Sequence, residues 1–131
     1  MPVTFEAVEN GRTMLLTIND PWTIEELMEW YPIMQPYFDS AASKVHTIID
    51  LSSTKTLASG VLKGRHSPNM EHPNGGFVVA VGTSGVVRSI AEIAFQLSRN
   101  NRLKFMSDVS QAMTFLKKQI ELESLEGDRH D

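Results

Sequence analysis

The chain of 131 residues contains no cysteine, so disulfide bridges, thiolate nucleophiles and cysteine-ligated zinc sites are excluded. It also lacks an excess of basic charge, because 12 lysine and arginine residues stand against 16 aspartate and glutamate residues. Domains that bind nucleic acid normally carry a basic surface, and a formal net charge of −4 therefore argues against that class of function.

Long hydrophobic segments are lacking as well. No apolar run approaches the roughly 20 residues that a membrane-spanning helix needs. Residues 1–6 contain no basic region followed by an apolar core, so they do not resemble a secretory signal. We therefore expect a cytoplasmic protein without a membrane span, and the length suits one domain.

Two short apolar runs, residues 45–51 and 77–82, are the strongest structural signal that is present. Both are rich in β-branched residues, and each ends at small polar residues before a helical pattern begins. Nearly continuous apolar runs are typical of parallel strands that are covered by helices on both faces. Functional residues in such folds lie in the loops that follow the carboxyl ends of the strands.

The remaining pattern predicts an opening β-hairpin around Asn10 and Gly11, followed by alternating helices and strands. Thr23 and Glu26 have the spacing of a capping box. Pro32 and Pro36 each lack an N–H donor, which predicts that the first helix kinks or ends near Gln35. The predicted fold is α/β, with a single mixed, mostly parallel central sheet flanked by helices in the order β-β-α-β-α-β-α-β-α. Residues 3–123 form the predicted domain, and residues 124–131 form a polar carboxyl-terminal tail.

This order of elements resembles the STAS fold of anti-sigma-factor antagonists, and in particular the SpoIIAA-like family. Two stretches of sequence carry the resemblance, which extends over about residues 3–120. The first pattern in the family is a strand ending Asp-Leu-Ser that leads to a helix opening Asp-Ser-Ser-Gly-(apolar). The matching stretch here is residues 49–52 followed by Ala58, Ser59, Gly60, Val61 and Leu62. The second pattern in the family is an Ala-Val-(apolar)-Gly strand, a helix, a short strand ending in an aromatic residue, and a last helix bearing Ala followed by aromatic-Leu. The matching stretch here is residues 77–82, Arg88, residues 103–105, Ala112, Phe115 and Leu116.

The resemblance implies a non-catalytic regulatory domain that binds a protein partner. The position of the family phosphoacceptor is occupied by Ser59, and phosphate there would add negative charge that repels an acidic partner. Leu57 and Ala58 stand where the antagonists have Asp and Ser, which favours the broader SpoIIAA-like group, whose members often lack the switch. Ser59 and Gly60 would then simply pack at a helix start. The implied partner-binding residues are Ser52, Ser53, Ser59, Gly60 and Lys63.

A second hypothesis is a carrier or sensor of a small apolar, lipid-like ligand. Aromatic and methionine side chains crowd the first helix, and such side chains suit adaptable apolar contacts. The candidate pocket residues are Trp30, Tyr31, Met34 and Phe38. Packing of the same side chains in the core is the simpler interpretation of this pattern.

A third hypothesis is a receiver-like domain that accepts a phosphoryl group, because Asp50, Thr83 and Lys104 follow the order of receiver site residues. An Asx-type hydrogen bond at the strand end is the alternative role for Asp50. The residues Thr83, Ser84 and Gly85 precede a helix and are candidates for binding an anion, although they lack a P-loop motif.

The sequence contains no convincing catalytic set, so we expect no enzymatic activity, no cofactor and no metal site. The four histidines match no metal-binding spacing. His66 and His72 lie in an irregular polar segment with Glu71 and are predicted to be solvated loop residues, and His46 has no partner that the sequence reveals. A homodimer is expected from the frequency of such assemblies, but no sequence feature identifies its interface.

Overall fold

The computed structural model describes residues 2–55, 72–83, 85 and 102–129. Within these residues the fold is α/β, with one mixed sheet of five strands that lie in chain order. β1 pairs antiparallel with β2, whereas β2–β3, β3–β4 and β4–β5 are parallel pairs. The strands are β1 (Val3–Val8), β2 (Thr13–Asn19), β3 (Val45–Ser53), β4 (Gly75–Val81) and β5 (Leu103–Met106). The described helices are α1 (Ile24–Met28), α2 (Tyr31–Ser40) and α3 (Val109–Arg129).

The predicted β-hairpin at the start of the chain is confirmed. Its last paired residues are Val8 and Thr13, and a short 3-10 turn, Glu9–Gly11, joins the two strands. The left-handed backbone conformation extends over Glu9, Asn10 and Gly11, with φ angles of 51°, 56° and 80°. Asn and Gly tolerate this conformation well, which explains why the chain reverses at these positions.

The predicted capping box at the start of α1 is also confirmed. The Thr23 hydroxyl accepts a hydrogen bond from the Glu26 N–H at 3.2 Å, and the Glu26 carboxylate accepts one from the Thr23 N–H at 2.9 Å. The pair satisfies two backbone donors that the first helical turn would leave without partners.

The predicted kink or end of the first helix near Gln35 is wrong. The helical segment is instead interrupted between α1 and α2, and α2 continues through Pro36 to Ser40. Pro32 explains the position of the interruption, because it has no N–H to donate to the carbonyl group four residues earlier. In α2 it occupies the first turn, where that N–H is not needed.

The two helical layers cover opposite faces of the sheet. α2 packs on one face in a cluster with the strand residues Val3, Met14, Leu16, Ile18, Val45, Leu51 and Ala80. α3 packs on the other face, through Ala112 and Leu116, against Ile48, Val79 and Val81. The prediction that residues 45–51 and 77–81 form inner strands is confirmed, because β3 and β4 both have neighbours on each side.

The last helix extends beyond the predicted domain boundary at residue 123, because α3 continues to Arg129. The predicted helices over residues 53–63 and 86–98 fall almost entirely outside the described residues. No helix within the described ranges is both long enough and apolar enough to cross a membrane.

Candidate functional site

The parallel strands end together at one edge of the sheet, which we call the carboxyl edge. Asn19 of β2 pairs with Ser53 of β3, and Asp50 of β3 pairs with Val81 of β4. The chain segments that leave these strands therefore emerge side by side. This is the edge at which the sequence predicts the functional residues.

Asp50 shapes the end of β3 through a local hydrogen-bonded turn. Its Oδ1 accepts hydrogen bonds from the Ser52 N–H at 3.0 Å and from the Ser52 hydroxyl at 2.5 Å. This is the Asx-type arrangement that the sequence offers as the alternative role of Asp50. The Ser52 and Ser53 side chains remain exposed.

Asp20, the residue that follows β2, holds the segment that leaves β3 at Thr54 and Lys55. Its carboxylate accepts hydrogen bonds from the hydroxyl of Thr54, which is buried, and from the Lys55 N–H at 2.8 Å. The Thr54 bond lowers the pKa of Asp20 below its ordinary value, and the Lys55 N–H lowers it further. Asp20 therefore acts as a charged acceptor that fixes residues 54 and 55 beside the end of β2.

Gly82 supports this loop from the β4 side. It has a φ of +69°, and a Cβ atom at this position would lie 2.5 Å from the Cβ of Ser52. The end of β3 is therefore in van der Waals contact with the residue that follows β4. A side chain larger than that of glycine at position 82 would displace Ser52.

Of the predicted partner-binding residues, the structure brings Ser52 and Ser53 together at the exposed carboxyl edge. Ser59, Gly60 and Lys63 lie outside the described residues, and so does the phosphoacceptor hypothesis that rests on Ser59. Among the candidates for anion binding, Thr83 is half-buried and Gly85 is exposed and helical, whereas Ser84 is outside the described residues.

The predicted pocket residues of α2 lie in the core cluster. Met34 and Phe38 have no exposed surface, and Trp30 and Tyr31 are partly buried against the same cluster. The Trp30 indole N–H donates to the Val3 carbonyl oxygen at 3.1 Å, which ties this layer to β1. The four side chains fill the space between the helix and the sheet, as the packing interpretation predicts.

The receiver-like set of Asp50, Thr83 and Lys104 is not brought together as a group. The Lys104 Nζ lies 5.9 Å from the centre of the Phe77 ring. Asp50 instead pairs with Val81. Val81 lies four residues beyond Phe77, or roughly 13 Å further along β4 toward the carboxyl edge. The Lys104 ammonium group is therefore directed toward the opposite edge from Asp50 and Thr83.

That opposite, amino edge of the sheet holds a group of interacting polar side chains, which we call the amino-edge cluster: Arg12, Ser43, His46 and Glu123. The Glu123 carboxylate accepts from the Arg12 guanidinium at 2.6 Å and lies 3.0 Å from the His46 Nε2. The Ser43 hydroxyl is 3.5 Å from the same carboxylate. The cluster joins α3 to residues that precede or begin β2 and β3.

His46 is 1% exposed, and both of its ring nitrogens are engaged. The Phe77 N–H donates to the Nδ1 at 2.9 Å, so the Nδ1 is an acceptor and the proton of the neutral ring is on the Nε2. The Nε2–H consequently donates to Glu123. The backbone of Gly76 packs directly against the ring, since a Cβ atom at that position would overlap it.

Burial lowers the pKa of His46 below its ordinary value of 6.5, because the charged ring would lose its hydration. The Glu123 carboxylate raises the pKa in part, whereas the guanidinium groups of Arg12 and Arg102 lower it. We conclude that His46 is neutral and donates a hydrogen bond to the Glu123 carboxylate.

A second histidine has a similar arrangement on the α2 face. The His72 Nε2 is 2.8 Å from the Asp39 carboxylate of α2, and its Nδ1 accepts from the Asn74 N–H at 3.0 Å. The sequence predicts a solvated loop histidine here, and that prediction is wrong because the ring is largely covered. Its partner Asp39 lies 33 residues away in the chain, so no local pattern indicates the contact.

The amino-edge cluster is absent from the sequence predictions, but one signal of it exists. Glu123 follows Ala112, Leu116 and Ile120 at helical spacing, so it continues the stripe of α3 that faces the sheet. A carboxylate on such a stripe needs a buried partner, because burying an unpaired charge is unfavourable. The sequence does not say which of the distant basic residues or histidines provides it.

Comparison with protein-family models and with curated proteins finds no match for this chain. Within the described ranges, no three histidine, aspartate or glutamate side chains are grouped so that they could hold a metal ion. The geometry therefore supplies two distinct regions: an exposed carboxyl edge held in shape by carboxylates, and a partly buried amino-edge cluster that joins α3 to the sheet.

Proposed function

We propose that this chain is a non-catalytic SpoIIAA-like regulatory domain that binds a protein partner through the loop leaving β3. The observation that carries the proposal is the arrangement of the carboxyl edge. Two carboxylates at this edge, Asp20 and Asp50, accept hydrogen bonds from the loop and from the last residues of β3. Their role there is to hold the loop in a defined shape, which favours recognition of its surface by another protein.

The side chains that the end of β3 and this loop expose support the same proposal. Ser52, Ser53 and Lys55 are exposed and lie between fixed points at Asp20 and Gly82. A preorganised loop loses little conformational entropy on binding, so it can form a specific interface with a modest contact area. The proposed interface continues into residues 59, 60 and 63.

The test is affinity capture with a matched pair of arginine substitutions at opposite ends of β3. Ser53→Arg places a large cation on the exposed carboxyl edge, and Ala42→Arg places the same side chain on an exposed residue near the amino edge. We expect a protein that the wild type captures to be retained by Ala42→Arg and lost from Ser53→Arg. Equal capture by both variants would contradict the proposed interface.

The regulatory part of the proposal is tested at Ser59. If phosphorylation of Ser59 controls the partner, Ser59→Asp should weaken capture of the protein identified above, while Ser59→Ala should retain it. Unchanged binding by both variants would remove the switch and leave a constitutive interaction domain. The Ser53→Arg result distinguishes this outcome from loss of the interface itself.

A further inference from the structure

We infer that two copies of this chain associate edge to edge, through β1 and the flank of α2 beside it, in antiparallel orientation about a two-fold axis at Glu6. The inference is independent of the function proposed above, whose interface lies at the carboxyl edge. It rests on two observations: β1 carries unpaired main-chain groups, and the neighbouring flank of α2 exposes apolar side chains.

The unpaired main-chain groups belong to alternate residues of β1. β1 forms one margin of the sheet, because β2 is its one neighbour among the described strands. The Asn19 N–H donates to the Pro2 carbonyl oxygen, which sets the alternation of hydrogen bonds along this antiparallel pair. Phe5 and Ala7 consequently turn their N–H and carbonyl groups outward, and no described residue provides a partner for them.

The unpaired stretch is bounded at both ends. At one end, the Val3 carbonyl oxygen already accepts a hydrogen bond from the Trp30 indole N–H at 3.1 Å. At the other end, Glu9 has a left-handed φ of 51° and leaves the extended conformation. The groups that a pairing strand can use in full are therefore those of Phe5 and Ala7.

The flank of α2 above this stretch is apolar. Ile33 and Tyr37 lie one turn apart on the side of α2 toward β1, where the Tyr37 ring centre is 6.0 Å from that of Phe5. They are 50% and 37% exposed. The charged side chain of α2 lies on the other flank, where Asp39 contacts His72. An apolar row thus runs beside the free margin of β1.

A second copy complements this surface in one register. When Phe5 lies opposite Ala7 of the second copy, the N–H of each residue donates to the carbonyl group of the other, and the two-fold axis repeats the pair. Placing Phe5 opposite itself would require the occupied carbonyl group of Val3. Placing Ala7 opposite itself would put Phe5 beside the left-handed Glu9. The bounds of the stretch therefore select the axis at Glu6.

The helix flank favours a second copy over an extended segment of another protein. An extended segment could pair with β1, but it would bring no helix to cover Ile33 and Tyr37. A second copy brings a strand margin and an apolar helix flank in the same relative position. It therefore satisfies the main-chain groups and covers the apolar row together, as an interface between identical surfaces requires.

Glu6 is the residue that limits this association. Its exposed side chain lies on the α3 face, because Phe5 beside it packs on the α2 face. On the axis, the two Glu6 side chains are directly opposite, with Cβ atoms about 4.5–5.5 Å apart. Like charges in such a pair weaken strand pairing, and no lysine or proline of β1 blocks its margin instead.

The first experiment is sedimentation equilibrium of the full chain up to about 1 mM. We expect a monomer–dimer equilibrium, and Glu6→Gln should lower its Kd by up to about fivefold because the like charges are removed. Glu121→Gln, an exposed acid of α3, is the control and should leave the Kd unchanged. A monomer throughout this range in both the wild type and Glu6→Gln would overturn the proposal, and so would an equal Kd for wild type and Glu6→Gln.

Variants at the interface locate the association. Ala7→Pro removes an N–H that the chain itself does not use, so the fold should persist in urea denaturation while the dimer is lost. Ile33→Glu brings like charges to the apolar flank and should raise the Kd by at least about tenfold. Leu122→Glu makes a similar change at a side chain of α3 that is 44% exposed, and it should retain the dimer. A dimer that persists in both Ala7→Pro and Ile33→Glu would overturn the proposal.

Amide hydrogen exchange reports on the proposed pairing directly. The amides of Phe5 and Ala7 have no acceptor among the described residues, so they should exchange freely in the monomer and become protected as the protein concentration rises. The Glu6 amide faces β2 and should stay protected at every concentration. A dimer in which the amides of Phe5 and Ala7 still exchange freely would place the interface elsewhere and overturn the proposal.

Discussion

Gly82 and Ser52 are in such close contact that a Cβ atom on Gly82 would lie 2.5 Å from the Ser52 Cβ and 2.7 Å from its Cα. The contact joins the residue after β4 to the penultimate residue of β3. It therefore fixes the relative position of the two loops that leave the centre of the sheet. Substitution at this glycine tests how rigidly the carboxyl edge is built.

We expect Gly82→Ala to lower the free energy of unfolding by more than the roughly 1–2 kcal/mol that a left-handed backbone costs a non-glycine residue. The additional loss comes from overlap with the Ser52 backbone, which cannot rotate away as a flexible side chain would. Urea denaturation measures the change. Gly85→Ala is the matched control, because a Cβ atom at Gly85 meets no atom of the described residues within 4 Å, and it should cause little or no loss.

The packing of α2 gives a second prediction, which also bears on the apolar-ligand hypothesis. Phe38 has no exposed surface in the core, so Phe38→Ala should reduce the free energy of unfolding by about 3–5 kcal/mol. Ile33→Ala on the same helix removes a side chain that is 50% exposed and should have a much smaller effect. A loss below about 1 kcal/mol for Phe38→Ala would indicate a loosely filled pocket.

Asp20 provides a pH-dependent prediction. Its hydrogen bonds from Thr54 and Lys55 lower its pKa from the ordinary 3.8, so the folded state binds its proton less readily than the unfolded state. The stabilisation from Asp20 is therefore present above about pH 3.8 and is lost as the pH falls through the folded value. Asp20→Asn should be less stable than the wild type near neutral pH, and the difference in urea midpoint should narrow in acid.

The control for this prediction is Glu29→Gln, which removes a charge from an exposed residue at the end of α1. Its urea midpoint should stay close to that of the wild type near neutral pH. A similar fall in the urea midpoint of Asp20→Asn and Glu29→Gln would mean that overall charge causes the effect. A fall in Asp20→Asn that does not change with pH would mean that the geometry of the amide causes it.

The capping box of α1 gives a fourth prediction. Thr23→Ala removes the hydroxyl that accepts from the Glu26 N–H, and it should lower the free energy of unfolding by about 1 kcal/mol. Thr114→Ala makes the same chemical change at an exposed position inside α3, where alanine is the better helix former. In urea denaturation, Thr23→Ala should therefore lower the free energy of unfolding, whereas Thr114→Ala should raise it. An equal loss of stability in both variants would contradict the capping role.

Features that depend on neighbouring residues could be predicted from the sequence. The capping box of Thr23 and Glu26, the hairpin at Asn10 and Gly11, and the Asx turn of Asp50 each involve groups that are a few residues apart. Their geometry is therefore decided locally, by the reach of a short side chain or by a left-handed backbone. The inner position of β3 and β4 could also be predicted, because continuous apolar runs need cover on two faces.

Features that depend on distant residues could not be predicted in the same way. His46 and Glu123 are 77 residues apart, and nothing in the local sequence of either residue identifies the other.

The two prolines of α2 had opposite outcomes. The helical segment is interrupted just before Pro32, whereas it continues through Pro36. Pro36 is retained inside the helix, and burial of Met34 and Phe38 on both sides of it offsets its missing hydrogen bond.

The order of the strands in the sheet has a consequence for how the chain is made. Each strand has its predecessor in the sequence as a neighbour, so a strand leaving the ribosome finds the template for its pairing already synthesised. The sheet can thus assemble in the order in which its strands are synthesised, because each strand pairs with one that is already present. The contacts of α3 close later, because the bond from Arg12 to Glu123 spans 111 residues and forms only after all five strands have been synthesised.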